Sequence, residues 1–214
     1  MSDYQTDEEK VEAIKQWWKE NGSSVIAGAV IGLAAIFGWR AWIDYRDSMR
    51  QEASAAFEQL LVSADTGDTQ SALAQSELLG EDFSSTAYAT LAALVRARVE
   101  LEAGNRAGAA RALEQAISSS PEPGITRIAA LRLARVLVAE GDLEAASSLL
   151  EEHDDGGSFS GAFAAIRGDI AQAQGRTADA RAAYQQAIAE GAPSSDRLRL
   201  KLENLPPVAE AGEG

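Results

Sequence analysis

The sequence predicts an all-α protein in which a single N-terminal transmembrane helix is followed by a stack of helical hairpins. The first supporting observation is an apolar run without any charged residue between Glu20 and Arg40. The second is the alanine-rich, proline-poor composition of the remaining chain, which favours helix and shows no convincing two-residue alternation of a strand. The third is the recurrence of glycine between helical segments, at positions 104, 141 and 175.

The predicted transmembrane helix covers residues 23–43. A helix rises about 1.5 Å per residue, so the apolar run matches the ~30 Å hydrocarbon core of a bilayer. All four tryptophans bracket this run, and indole rings prefer the headgroup level of a membrane: Trp17, Trp18, Trp39 and Trp42. Two alternatives remain, a buried core helix and a cleavable signal peptide. The first makes the tryptophan placement a coincidence, and the second requires a short basic leader where this chain has an acidic one.

Residues 1–22 are predicted to form a short cytoplasmic tail, with the large C-terminal domain in the periplasm beyond a bacterial inner membrane. Each flank of the apolar run carries three basic residues, so the positive-inside rule does not give the orientation: Lys10, Lys15 and Lys19 on one side, and Arg40, Arg46 and Arg50 on the other. A long domain is translocated largely regardless of its charge, which favours the cytoplasmic N-terminus.

Two glycines within the predicted span have the spacing of a helix-packing motif. Gly28 and Gly32 form G-x-x-x-G, which would let the backbone of another membrane helix approach closely. The alternative is that these are simply small residues facing lipid. A partner helix at Gly28 and Gly32 is therefore a prediction that names no partner.

Composition excludes several classes of function. The net charge of −14 opposes binding to nucleic acid or to anionic lipid surfaces, since both need clustered cations. The chain has no cysteine, and its one histidine, His153, is predicted to lie in a solvated acidic loop. There is no phosphate-binding glycine loop and no G-x-S-x-G nucleophile motif. The sequence therefore predicts a protein that is not an enzyme, with no catalytic residue, no metal site, no cofactor and no nucleic-acid partner.

Residues 83–205 are predicted to form tetratricopeptide-like repeats, because three helix–turn–helix units follow one another at a period of about 34 residues. Glycine at each turn permits the backbone angles that end a helix. In the third unit, small residues at Gly168, Ala180 and Ala187 would let two helices cross closely, and Tyr184 would fill the gap between pairs. An arbitrary helical bundle is the alternative.

The segments that flank these repeats are less regular. Residues 44–82 are predicted to form a degenerate helical capping repeat with its turn at Gly67, because terminal repeats are usually atypical. A short helix near residues 196–203 would cover the last repeat. Residues 206–214 are predicted to be a disordered tail.

Helical repeat arrays bind partners on the inner face of their curved stack, which the first helix of each pair provides. That face is predicted to be a mostly apolar groove with two arginines, as is typical of a peptide or partner site. The predicted partner-binding residues are Leu91, Leu94, Arg98, Leu101, Ile128, Leu131, Arg135, Val138, Asp169 and Gln172, with Ala165 in the same row. The alternative is that the helix following the membrane, around Phe57 and Leu60, folds back and covers this row.

The order of these parts resembles the YfgM family of ancillary subunits of the bacterial SecYEG translocon. The similarity runs from the acidic residues 7–22 through the apolar run to Tyr45 and Arg46, and then into the repeats; residues 11–45 are its most specific part. The resemblance implies an inner-membrane protein whose repeats lie in the periplasm beside the SecYEG channel. It also implies partnership with a PpiD-type membrane-anchored chaperone and a role in handing exported client proteins to periplasmic chaperones. The alternative function is a scaffold or assembly factor for another cell-envelope complex.

Overall fold

The computed structural model describes residues 7–193 and 195–207. Every regular element in these residues is an α-helix, which confirms the predicted all-α class. The helices are α1 (Asp7–Asp65), α2 (Thr69–Asp82), α3 (Ala87–Glu102), α4 (Arg106–Ser119), α5 (Pro123–Glu140), α6 (Leu143–His153), α7 (Ser160–Ala173), α8 (Thr177–Ala189) and α9 (Ser195–Glu203).

The chain divides into two compact units, residues 1–51 and residues 52–214. Helix α1 shows no break in secondary structure at residue 22 or residue 43, so the limits predicted there for the tail and the span remain predictions. Most of the predicted disordered tail, residues 208–214, and the first six residues of the predicted cytoplasmic tail lie outside the described residues.

The first unit is a helix whose apolar side chains face outward all round. Seven large apolar side chains between residues 25 and 37 are 41% to 69% exposed: Val25, Ile26, Val30, Ile31, Leu33, Ile36 and Phe37. A helix that is apolar on every side belongs in a protein core or in lipid, and no core covers this one within the described residues. By length and composition, this helix is able to cross a membrane, as the sequence predicted.

The aromatic residues at the C-terminal end of the apolar run pack together. The ring centroids of Trp39 and Trp42 are 5.2 Å apart. The guanidinium carbon of Arg46 lies 4.7 Å from the centroid of the Trp42 ring. A cation over an indole face is a favourable contact, and tryptophan prefers the membrane–water boundary. The cluster therefore suits the interfacial position predicted for these tryptophans.

The second unit is an array of helical hairpins in which each helix packs mainly on its neighbours in the chain. The hairpins α3–α4, α5–α6 and α7–α8 turn at Gly104, Gly141 and Gly175, whose φ angles are 78°, 84° and 74°. Such left-handed backbone favours glycine, because a Cβ atom would be strained there. These angles confirm the turns that the sequence predicted.

A helix-capping residue follows three of the turn glycines, a signal that the sequence prediction did not use. In each case a side-chain oxygen accepts a hydrogen bond from the backbone N–H three residues later, which satisfies a donor at the start of the next helix. The caps are Asp68 to Ser71 at 3.1 Å, Asn105 to Gly108 at 3.0 Å and Asp142 to Ala145 at 3.2 Å. After Gly175 stands Arg176, which makes no such cap.

Residues 52–65 of α1 pack on α2 and α3. Leu60 is fully buried and shares a core cluster with Leu79 and Val99. The rings of Phe57 and Tyr88 have centroids 5.6 Å apart, and the Tyr88 hydroxyl lies 3.1 Å from Ser54 Oγ. The end of α1 and α2 thus share a core cluster with one side of α3. The capping role predicted for residues 44–82 stays a prediction.

The short helix α9 covers the last hairpin, as the sequence predicted. Leu198 and Leu205, which are 5% and 7% exposed, share a cluster with Ala164, Ala171 and Tyr184. Ala164 and Ala171 belong to α7 and Tyr184 belongs to α8. Helix α9 and the residues directly after it therefore close the C-terminal end of the core.

One expectation was wrong. His153 was predicted to lie in a solvated loop, but it is the last residue of α6 and its side chain is only 14% exposed. The acidic segment that follows it is held by two ion pairs, from Arg127 to Asp155 and from Arg167 to Asp154. These contacts connect the segment to α5 and α7.

Candidate partner-binding groove

An apolar groove of about 470 Å³ opens between α3, α4 and α5. Its buried floor consists of Leu94, Ala97, Leu113 and Val136, and its more exposed edge includes Leu101 and Ala139. Concave, mostly apolar cavities of about 300–1,000 Å³ are typical ligand sites. The groove is therefore the candidate binding surface of the second unit.

Four arginines surround this apolar floor: Arg98, Arg106, Arg132 and Arg135. The one acidic residue in the lining is Glu102. Arg98 is paired, because its Nη2 donates to Asp65 Oδ1 at 2.8 Å and its Nε lies 3.7 Å from Glu102 Oε1. Within residues 7–193 and 195–207, the other three arginines have no carboxylate oxygen within 4.0 Å. The rim is therefore positive in a chain that is strongly acidic.

The environment of Arg135 combines partial burial of the guanidinium with nearby charges of both signs. Although the residue is exposed overall, partial desolvation of its guanidinium lowers the pKa of Arg135. Asp169 opposes that effect, while the positive charges of Arg132 and Arg197 lower the pKa further. Burial and like charges both disfavour an isolated cation, so a carboxylate brought into the groove would be attracted to this position.

The structure brings four of the predicted partner-binding residues to the groove: Leu94, Arg98, Leu101 and Arg135. Three others lie in or against core clusters: Leu91 on the cluster of α3, α4 and α5, and Leu131 and Val138 on the cluster of α5, α6 and α7. Ile128 is half-buried, and Ala165 packs against the C-terminal cluster. Only some residues of the predicted row line the groove, and others pack in or against the core. The binding role of the row remains a prediction.

The C-terminal end of the predicted row is engaged by the protein itself. The hydroxyl of Tyr184 donates to Asp169 Oδ1 at 2.6 Å and lies 2.7 Å from Gln172 Oε1. Lys201 of α9 forms an ion pair with the same carboxylate oxygen of Asp169. Asp169 and Gln172 therefore connect α7 to α8 and α9 in this structure, and the open part of the face is at the N-terminal end.

Sequence reasoning missed Arg106 and Arg132 in the groove. Arg132 lies three residues before Arg135 on α5, which places both on one side of that helix and was a usable signal. Arg106 comes from α4, the second helix of its hairpin, and the assumption that only first helices line the inner face left it out. That assumption holds for a regular stack, whereas this groove extends to α4.

The sequence left open the alternative that the helix around Phe57 and Leu60 covers the predicted binding row. In the structure, these two residues pack elsewhere. Phe57 and Leu60 pack with a different strip of α3, formed by Tyr88, Ala92, Val95 and Val99. Asp65 reaches Arg98 at the rim, but the floor of the groove contains no residue of α1. Phe57 and Leu60 therefore do not fill the groove in the described chain.

Gly28 and Gly32 present open surface. A Cβ atom built at either residue would have no neighbouring atom within 4 Å. This openness is compatible with lipid and with a second membrane helix alike, so the predicted packing role of the pair remains a prediction.

Among the described residues, no group of three or more histidine, cysteine, aspartate or glutamate side chains is arranged to hold a metal ion. The groove is defined by its apolar floor and its arginine rim.

Comparison with known proteins assigns the chain to a family. A sequence model described as a tetratricopeptide repeat-like domain matches residues 15–207. A protein of Haemophilus influenzae named ancillary SecYEG translocon subunit is 34% identical over 200 residues, covering 93% of this chain and 97% of that relative. The chain belongs to the family of ancillary SecYEG translocon subunits.

Other relatives in this family extend over the same length. The Escherichia coli protein of that name is 27% identical over 207 residues, covering 96% of this chain and 99% of the relative. The Neisseria gonorrhoeae protein is 24% identical over 209 residues, with 96% and 100% coverage. No solved structure matches the chain. The family resemblance predicted from the sequence is confirmed, and the family names with the repeat fold indicate a non-catalytic, ancillary protein.

Proposed function

We propose that the protein is a membrane-anchored ancillary subunit of the Sec translocon, whose repeat domain lies in the periplasm at the exit of the SecYEG channel. The observation that carries the proposal is similarity over nearly the full chain to relatives named ancillary SecYEG translocon subunit. Both parts of the molecule support it, since the matched residues 15–207 contain the apolar run of the helix able to span a membrane and the whole hairpin array.

In this proposal the domain acts as an adaptor between newly exported proteins and the periplasmic chaperone network. Its partners are exported client proteins and a PpiD-type membrane-anchored chaperone. Anchoring suits such a role, because confinement near a channel mouth raises the effective concentration of the domain without requiring tight binding. Weak contacts would then release a client to the next chaperone.

The association is tested by site-specific photo-crosslinking in cells. A photoreactive side chain at Gly32, within the predicted span, is expected to yield adducts with translocon subunits. The same side chain at Leu101, at the groove, is expected to capture exported clients or a PpiD-type chaperone. Leu78, which is similarly exposed but lies outside the groove, is the control. Recovery of neither translocon nor clients contradicts the proposal, and capture of a different envelope complex alone would favour an assembly scaffold.

The orientation is tested separately by cysteine labelling, because the chain has no native cysteine. Ser158→Cys, at an exposed position in the second unit, is expected to react with a membrane-impermeant maleimide in cells with a permeabilised outer membrane. Ser2→Cys, in the predicted cytoplasmic tail, is expected to react only after lysis. The reverse pattern of labelling contradicts a periplasmic domain.

A further inference from the structure

The groove between α3, α4 and α5 differs in its charge from the rest of the second unit. Elsewhere in the described part of that unit, five of the eight arginines lie within 4.0 Å of a carboxylate oxygen. They are Arg96, Arg127, Arg167, Arg176 and Arg199. At the groove, three of the four lining arginines have no such partner among the described residues. In a chain with an excess of acids over bases, this local cluster of cations on one apolar cavity would attract an external anion.

The floor of the groove adds a second requirement for the occupant. Leu101 is 42% exposed at its edge, beside the buried Leu94 and Val136. An inorganic anion or a free sugar phosphate would satisfy the arginines but leave this apolar surface in water. A peptide with both carboxylates and apolar side chains would satisfy the two together.

We propose that the groove binds an acidic, partly apolar peptide segment of a partner protein. Its carboxylates lie against the three unpaired arginines, Arg106, Arg132 and Arg135, and its apolar side chains lie on the floor. Guanidinium–carboxylate contacts are charge-assisted and directional, so they fix the register of the segment. This inference deepens the proposed function and rests on it only for the source of the segment, an exported client protein.

Two other occupants are less suitable. The last seven residues of the chain, Val-Ala-Glu-Ala-Gly-Glu-Gly, carry acid but only one larger apolar side chain. They follow Pro206, whose carbonyl accepts from Arg181 on α8, a helix that does not line the groove. A second copy of the chain is opposed by the mutual repulsion of two domains with a large excess of acid.

The test is fluorescence anisotropy with full-length protein in detergent micelles. The probe is a short labelled peptide of leucine, glutamate and serine. Two matched peptides replace glutamate by glutamine, or leucine by serine. Saturable binding of the first peptide, weakened by either replacement and by added salt, is the expected result.

Paired variants locate the site. Arg132→Gln with Arg135→Gln is expected to weaken binding about tenfold or more, since two charge-assisted contacts are lost. Arg111→Gln with Arg181→Gln removes the same charge from arginines outside the groove, and is expected to change binding less than about twofold. Leu101→Glu should also abolish binding, whereas Leu78→Glu, at a position 44% exposed outside the groove, should not. Because Leu101 is exposed, Leu101→Glu is expected to fold. It therefore tests binding at the groove even if the double arginine variant does not fold.

Several results would overturn the inference. They are equal losses in the two arginine variants, equal binding of the glutamine peptide, and absence of binding to the first peptide. Tighter peptide binding after deletion of residues 208–214 would identify the tail as the occupant. A change in molecular mass in the Arg132→Gln, Arg135→Gln variant would identify a second copy. Since this assay contains no translocon, its failure leaves the crosslinking test in cells unaffected.

Discussion

Tyr184 shows how one side chain connects the helices of the last hairpin to each other and to α9. Its ring is fully buried against Gly168, and its hydroxyl donates to Asp169. The ammonium nitrogen of Lys201 lies 5.6 Å from the centroid of the same ring and is paired with Asp169. Burial raises the pKa of Tyr184, and the hydrogen bond and charge of Asp169 raise it further. The neutral phenol is thus part of the folded structure.

We expect Gly168→Ala to destabilise the domain by about 1–3 kcal/mol, because overpacking of a fitted core has that cost. The added Cβ would lie 2.4 Å from Cδ1 and Cε1 of Tyr184, and the ring must move to accommodate it. Chemical denaturation followed by far-ultraviolet circular dichroism measures the change. Gly124→Ala is the control: a Cβ there has no neighbour within 4 Å, so this variant should be neutral or slightly more stable. Equal effects of the two substitutions would disprove the steric explanation.

The raised pKa of Tyr184 predicts an alkaline dependence of stability. The folded state favours the protonated phenol, so its contribution is fully present below the unfolded pKa of about 10 and is lost as pH rises above that value. Tyr184→Phe lacks this titration. We expect the stability difference between wild type and Tyr184→Phe to be largest near neutral pH and to shrink above about pH 10. Melting temperatures of both proteins across this range are the measurement, and a constant difference contradicts the assignment.

At the scale of elements, α9 is held by one face only. Leu198 is 5% exposed and lies in the C-terminal core cluster, whereas Leu200, two residues later, is 58% exposed. We expect Leu198→Ala to cost about 2–4 kcal/mol, as for other buried leucines, and Leu200→Ala to cost less than about 0.5 kcal/mol. Hydrogen exchange of the α9 amides should accelerate in the first variant alone. Similar exchange in both variants would mean that α9 does not depend on this contact.

The hairpins were predictable from sequence because their signals are local. Gly104 and Gly141 require a left-handed backbone at the turn, and the acceptor side chain of Asn105 or Asp142 follows directly. A short periodic pattern therefore determines where each helix ends and the next begins.

The groove was predictable only in part, because it depends on how neighbouring helices rotate about their axes. Leu94 and Leu131 have the same predicted role, yet Leu94 borders the groove and Leu131 is enclosed by α6 and α7. Arg106 reaches the rim from α4, and no periodicity within α3 or α5 indicates that. Whether a residue reaches the groove depends on the distances and rotations between helices. Those are determined by the packing of many side chains at once.

At the scale of the whole molecule, the apolar run of α1 is the segment expected to hold the protein in a membrane. We expect Ile31→Lys with Leu33→Lys to release the chain from membranes, since each lysine at a helix centre costs about 2.5–3.5 kcal/mol of insertion free energy. Alkaline carbonate extraction followed by immunoblotting measures the released fraction.

The control for this experiment is Leu61→Lys with Val62→Lys, at positions that are 37% and 64% exposed in the second unit. It adds the same charge outside the apolar run and should leave the chain in the membrane fraction. Release of both variants, or of neither, would contradict the assignment of the span.

The confinement of all tryptophan to residues 17–42 has a practical optical consequence. Excitation at the red edge of the indole band will report solely on the lipid-facing helix, so bromine-substituted phospholipids should quench essentially the entire signal. Tyr88 and Tyr184 are the intrinsic chromophores of the hairpin array. Denaturing the array while leaving indole emission unchanged would therefore reveal, without any label, that the two units melt independently.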